Sequence, residues 1–406
     1  MKRYFILLLA LIISVSLFSC SNKDGQDIVE TDPIPETTDE NSDTSYETEE
    51  YVPSEDEDNS MFLYPEDPAK YVVDYMREMA TREWTPDVSF HLYGKYQAWK
   101  FDLNYKVGET YYGPPFLVDS RGTLQEFDGS LINGKYVGGT TLNNCIGSAC
   151  YDAVFVSLIQ VCPSISFKST EDMLPRNNTG LEAVGEYNWK VSKSDTPTIL
   201  FENSMQTMGR SYAELRAGDV VLKHVVVQDA GHARIVAKDA HVVYGENNTI
   251  DMGKSYITTL EQTNLWDAES SVNTTWWVDR KYTFADLYST NFVPLRPVDY
   301  TKKLSPAYIK TDDLIKEDEI PNAKKLRGEI SSNQYITEVE ITVENSDGKV
   351  IYEHKEYPTS KKFDLSSIRY SPKLYNYKNG TYKFTIKASL ATGTKTLAEY
   401  TFENQR

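Results

Sequence analysis

The segment Asn144–Ile159, Asn-Cys-Ile-Gly-Ser-Ala-Cys-Tyr-Asp-Ala-Val-Phe-Val-Ser-Leu-Ile, joins a small polar turn directly to an apolar run. Ala153, Val154, Ser157, Leu158 and Val161 recur there at helical spacing, which predicts a helix with Cys150 at its N-terminus. The first turn of a helix presents unpaired N–H groups and a partial positive charge, and both stabilise a thiolate over a thiol. Cys150 is therefore a candidate nucleophile. Its other readings are a buried small hydrophobe or half of a disulfide.

What raises the first reading lies downstream. Tyr212–Lys223 reads as a short helix, a Gly218-Asp219 turn and a strand. His224–Val227 then runs into the turn Asp229-Ala230-Gly231, and His232–Lys238 has strand composition. Val242-Val243-Tyr244, the turn Gly245–Asn248 and Tyr256–Gln262 complete an antiparallel series. The outline is α+β, one helix bearing a Cys and a meander bearing a His. Thiol chemistry on an acyl carbon needs a thiolate, an imidazole within reach and a polar group that orients the imidazole. Cys150, His232 and Glu261 or Gln262 occur in that chain order.

The N-terminus reads as an address. Lys2 and Arg3 precede an apolar run from Phe5 to Ile13, too short for a structural membrane span. Leu17-Phe18-Ser19-Cys20 resembles a bacterial lipobox, which makes residues 1–20 a lipoprotein signal, Cys20 a lipid anchor and the location the outer face of a bacterial membrane. Residues 21–60 hold fifteen Asp or Glu against Lys23 alone, with few aliphatics, and read as a disordered acidic tether. That tether carries −14 and the signal +2, so only −6 of the net −18 falls on residues 61–406. A folded part so nearly balanced gives no electrostatic case for nucleic-acid binding.

Asp67-Pro68 reads as an N-cap with Pro at the first helical position, leading to Tyr71, Val72, Tyr75, Met76 and Met79 on one face. Gly108–Phe116 is a turn-forming run with aromatic flanks, and residues 119–149 are loop-rich. Tyr282–Tyr288 reads as a final helical turn and Phe292–Pro297 as a closing strand. Residues 301–325 read as a linker. From Leu326 alternation takes over, with Asp347-Gly348 as a hairpin signal, and residues 326–406 fit a small β-sandwich. A zinc site built from His224, His232, His241 and Asp229 lacks the close spacing of known ligand sets, and neither metal nor cofactor is expected.

Tyr112–Phe116, Gly147–Val154, Leu215–Val221, Gly231–Val236 and Thr259–Gln262 together resemble the NlpC-type and CHAP-type cysteine peptidases, over roughly residues 61–300. The resemblance implies a papain-like fold and cleavage of amide bonds in cell-wall peptides. It makes Cys150 the nucleophile, His232 the base and Glu261 the orienting residue, with Gln262 as second choice. Tyr112 would shape the acyl pocket, and Tyr151 joins it as a substrate-binding candidate. Those families place Asp before the Cys and Ser after it, where this chain has Ala149 and Tyr151. Cys145 has two conceivable partners in an oxidising exterior, Cys162 or Cys150 itself. The rival functions are a catalytically inactive binding lipoprotein and an acyltransferase or deamidase on the same fold. The sandwich resembles immunoglobulin-like modules appended to bacterial surface enzymes.

Overall fold

Strand-forming runs rich in Val, Ile and Leu build the centre of the molecule. The computed structural model describes residues 62–95, 100–192, 195–228, 230–370 and 377–405. All of them belong to one compact unit, 58–406. The expected signal, the tether and the Cys20 anchor lie outside the described residues, as does Asp229.

The central sheet has six strands in the order Trp276–Thr283, Tyr256–Gln262, Ala230–His241, Val220–Val225, Val293–Pro297 and Leu181–Ala183, each antiparallel to its neighbour. The expected α+β class and the meander are present. The series is one strand shorter than expected, because Tyr244 makes only an isolated bridge to Ile250. Val220, Leu222, Ala233, Ile235, Ile257 and Leu260 are fully buried in this sheet. The helix Cys150–Leu158 packs on the strands Ala230–His241 and Tyr256–Gln262, and also on the helix Pro68–Ala80. That second helix starts as anticipated, with Asp67 accepting from Lys70 N–H at 2.9 Å and Pro68 in its first turn. Its buried face is Val72, Val73, Tyr75, Met76, Met79 and Ala80, with Tyr71 only half-buried.

The loop-rich region before Cys150 is organised by Trp84, which is 1% exposed. Phe90, Tyr105, Tyr111, Phe127 and Tyr136 surround its ring at centroid distances from 5.3 to 6.3 Å. The Trp84 indole N–H donates to Gly113 O at 2.9 Å, so the polar edge of a buried ring is satisfied. This aromatic cluster ties the hairpin Phe90–Gly94/Phe101–Tyr105 and several two-residue strands into a second layer.

A separate hydrophobic core lies toward the C-terminus, where a three-stranded sheet (Ile309–Asp312, Glu329–Ile336, Ser360–Asp364) faces a four-stranded one (Val350–Glu356, Glu338–Asn345, Gly380–Leu390, Gly393–Asn404). The alternation expected from Leu326 onward is seen in Glu329–Ile336, where every second residue is buried. Residues 301–325, expected as a linker, contain the strand Ile309–Asp312 and a 3₁₀ segment, Glu317–Asn322, and bury Ile309, Ile315 and Ile320 in this core. Phe62 joins the same core. Tyr335 crosses to the first core: its hydroxyl donates to Ile165 O, and its ring meets Phe155 of the Cys150 helix edge-on at 5.9 Å. No helix among the described residues is long and apolar enough to cross a membrane.

Candidate active site

Cys150 is the first residue of its helix, and every residue from Cys150 to Leu158 is buried. Ala149 stands at the N-cap in extended conformation and has no side chain to cap with. Asp152 stands in the third helical position with its carboxylate buried. Arg121 Nε approaches Asp152 Oδ1 at 3.3 Å, and the Arg121 guanidinium lies 3.8 Å from the Phe155 ring centre. Burial pushes the Asp152 carboxyl up, to about 7, against the pull of Arg121.

The chain entering Cys150 lies in a backbone cradle. Ser148 N–H donates to Pro115 O at 3.2 Å, Leu117 N–H to Ser148 O at 3.1 Å and Gly122 N–H to Gly147 O at 2.9 Å. Gly147 is required by proximity, since a Cβ there would fall 2.4 Å from Pro115 O. The cradle is held in turn through Pro114 O, which accepts from Trp276 Nε1 at 2.9 Å and Gln262 Nε2 at 3.2 Å.

His232 stands near the start of its strand, directly opposite Lys223. Its Nε2 meets Glu261 Oε2 at 2.5 Å, and the ring also feels the charge of the neighbouring Cys150 sulfur. With Nε2 committed to Glu261, Nδ1 is the ring nitrogen left for a thiol. Burial opposes a charge on this ring. The Cys150 sulfur, by charge and by hydrogen bond, and then Glu261 outweigh that cost and carry the pKa up to about 9.

Glu261 is fully buried. Its Oε2 also accepts from Arg234 Nε at 2.7 Å, and its Oε1 accepts from the Tyr282 hydroxyl at 2.7 Å. Burial alone would raise the carboxyl, but the Arg234 charge, the His232 contact and the Tyr282 hydroxyl together hold it down at about 2. Arg234 is clasped between the rings of Tyr282 and Phe292, with its guanidinium carbon 3.8 and 4.1 Å from their centres. Phe292 also packs edge-on to His232 at 6.2 Å.

The structure thus brings Cys150, His232 and Glu261 together. Gln262 projects from the opposite face of the same strand and serves the Pro114 carbonyl. Tyr112 is engaged elsewhere, its hydroxyl donating to Glu83 at 3.2 Å. Tyr151 is buried, and its phenol is pushed up first by burial and then by the charges of Asp152, Asp119 and Cys150. Cys145, Cys150 and Cys162 are all free thiols, and Cys145 faces the Tyr136 hydroxyl. His224 bonds Thr170, and His241 packs against Tyr256. Arg234, Tyr282 and Arg121 were not anticipated from sequence. Arg234 alone left a signal, two residues past His232 and so on its face of the strand.

This arrangement allows a proton to pass between sulfur and imidazole while a buried carboxylate fixes the ring. No family model matches the chain, and no curated protein matches it. Among solved structures it is similar to PorZ of Porphyromonas gingivalis, described as an essential bacterial surface component of the type-IX secretion system. Identity is 10%, coverage is 43% of this chain and 24% of that one, and the TM-score is 0.13, too low to carry any inference.

Proposed function

We propose that this protein is a cysteine amidase or endopeptidase of papain-like fold, acting on amide bonds in peptidoglycan peptides from the outer face of a bacterial membrane. The observation that carries the reading is the His232 ring, which meets the buried carboxylate of Glu261 and feels the charge of the neighbouring Cys150 sulfur. The anchor in this reading is lipid on Cys20, supported by the sequence preceding it.

In the acylation step, Cys150 Sγ attacks the amide carbonyl carbon with its proton held on His232. The carbonyl oxygen, now negative, is met by the Cys150 N–H and a neighbouring donor at the open helix end. His232 passes its proton to the departing amine, and a thioester remains on Cys150. Water then enters, gives a proton to His232 and attacks the thioester. Collapse releases the carboxylic acid and returns the proton to the sulfur–imidazole pair. Glu261 stays ionised throughout and holds His232 by Nε2. Arg234 and Tyr282 hold Glu261.

One observation favours the rival reading of an inactive binding protein: Cys150 is only 5% exposed. The two readings separate on the rate at which iodoacetamide labels Cys150 in the wild type and in His232→Ala. Fast labelling at neutral pH that slows in the variant supports the enzyme. A Cys150 that labels like an ordinary thiol in both proteins overturns it and leaves the binding lipoprotein.

A further inference from the structure

The chain on both sides of Cys150 is gripped by one residue. Ser148, two positions before the sulfur, forms an antiparallel bridge with Arg121. Asp152, two positions after it, has Oδ1 at 3.3 Å from Arg121 Nε, while its buried Oδ2 finds no hydrogen-bond partner among the described residues. The guanidinium is fixed on two further sides. Arg121 Nη2 donates to Phe167 O at 2.9 Å, and the guanidinium carbon lies 3.8 Å from the centre of the Phe155 ring. Phe167 and Tyr335 in turn meet Phe155 edge-on at 5.5 and 5.9 Å, so the surface under Arg121 is itself held in place.

Neither Arg121 nor Asp152 takes part in the steps described above, yet both put charge into the first turn of the helix. A carboxylate there opposes a neighbouring thiolate, and a cation favours it. The groups that share this neighbourhood are Asp152, Asp119, Cys150 and Arg121, all of which act on the Tyr151 phenol, and Tyr335 feels the Arg121 charge from the sandwich. Asp119 is exposed, so water screens it. Asp152 and Arg121 are left to set the field at the start of the helix. Burial pushes the Asp152 carboxyl up to about 7 against the pull of Arg121, whereas an arginine stays charged across the whole range in which proteins fold. The cation therefore balances the carboxylate above neutrality and exceeds it below.

We propose that Arg121 is a positioning residue for Cys150: it holds the chain on both sides of the sulfur and cancels the Asp152 charge, so that the start of the helix stays electropositive toward the thiolate. The inference rests on the reading of Cys150 as nucleophile and deepens it to the group that regulates the charge of the sulfur. Arg121 acts through Asp152 and the helix end, not by contact with substrate.

The experiment follows iodoacetamide labelling of Cys150 in the full chain across pH and reads the midpoint of the rate profile. The midpoint is expected to rise by about 0.5–1 pH unit in Arg121→Met and in Arg121→Gln, the second of which keeps a donor for Asp152 and is the milder test of folding. In Asp152→Asn, which loses the same ion pair but leaves the cation unopposed, it is expected to stay at or below the wild-type value. A wild-type midpoint in Arg121→Gln overturns the inference, while His232-dependent labelling still upholds the site. An upward shift in Asp152→Asn as large as that in Arg121→Gln also overturns it, because the contact and not the charge would then be what matters. A Cys150 that labels like an ordinary thiol in both the wild type and His232→Ala overturns the site reading and this inference together.

Discussion

His232 and Arg234 close on the same oxygen, Oε2 of Glu261, at 2.5 and 2.7 Å. One carboxylate oxygen therefore serves both the imidazole beside Cys150 and the guanidinium that holds the carboxylate charged. Glu261→Gln keeps the shape and removes the charge. Cys150 reactivity toward iodoacetamide at neutral pH is expected to fall about 10²-fold. Glu261→Ala should in addition lower stability by about 3–5 kcal/mol, because Arg234 is left buried without a counter-charge. Denaturant unfolding of both variants checks this, and a wild-type midpoint in Glu261→Ala would contradict the argument.

Stability should depend on pH through the same pair. His232 holds its proton more tightly folded than unfolded, with a pKa of about 9 against an ordinary 6.5. Its contribution is complete below about pH 6.5 and disappears as the pH rises to about 9. Glu261, held at about 2 against an ordinary 4.5, contributes fully above that ordinary value and loses its contribution as the pH falls toward 2. The thermal midpoint of the wild type should decline between pH 6.5 and 9, and the decline should flatten in His232→Ala. Parallel curves for the two proteins would count against a charged His232 in the folded state.

Gln262→Ala tests the residue on the other face. It removes one of two donors to Pro114 O and leaves Trp276 Nε1 in place. A loss of about 1 kcal/mol is expected. Cys150 labelling should slow far less than in Glu261→Gln, and equal slowing would mean that the cradle matters as much as the orienting carboxylate.

Gly147→Ala places a methyl group 2.4 Å from Pro115 O, so the backbone at Ser148 must move away from its partner segment. The expected cost is about 1–3 kcal/mol, with slower labelling of Cys150 at unchanged His232 and Glu261. Chemical denaturation and alkylation rates measured together check this, and a neutral substitution would show that the cradle yields freely.

Residues 301–325 should resist limited proteolysis in the native protein, since Ile309, Ile315 and Ile320 are buried. Ile320→Ala removes about 2–5 kcal/mol from that core, and cleavage within the segment should then appear. Ready cleavage in the wild type would contradict the packing.

The parts of this site written locally were legible in the chain. The polar turn before an apolar helical run placed Cys150, and the strands around Gly231 placed His232. Sequence left Glu261 and Gln262 open because both lie on one strand. The pleat decides between them, since adjacent residues face opposite ways and only Glu261 shares a side with His232. Tyr112 was expected at the pocket from its neighbours in sequence, but Tyr111 takes the inward position against Trp84 and leaves Tyr112 to pair with Glu83.

What was not legible depends on contacts between distant segments. Asp152 is met by Arg121, 31 residues earlier. The Trp84 cluster draws rings from Phe90 to Tyr136, a stretch with no clear periodicity of its own. The polar composition of residues 301–325 concealed three isoleucines spaced widely enough to escape any pattern.

Phe62 is 5% exposed and belongs to the C-terminal core rather than to the core that carries Cys150. The polypeptide therefore enters the described structure through the sandwich, and a pull arriving along the preceding residues is borne first by that domain. Tension from an attachment upstream would strain the Phe62 socket before it reached the sulfur and the imidazole. The sandwich would in this respect act as a strain relief ahead of the Cys150 core.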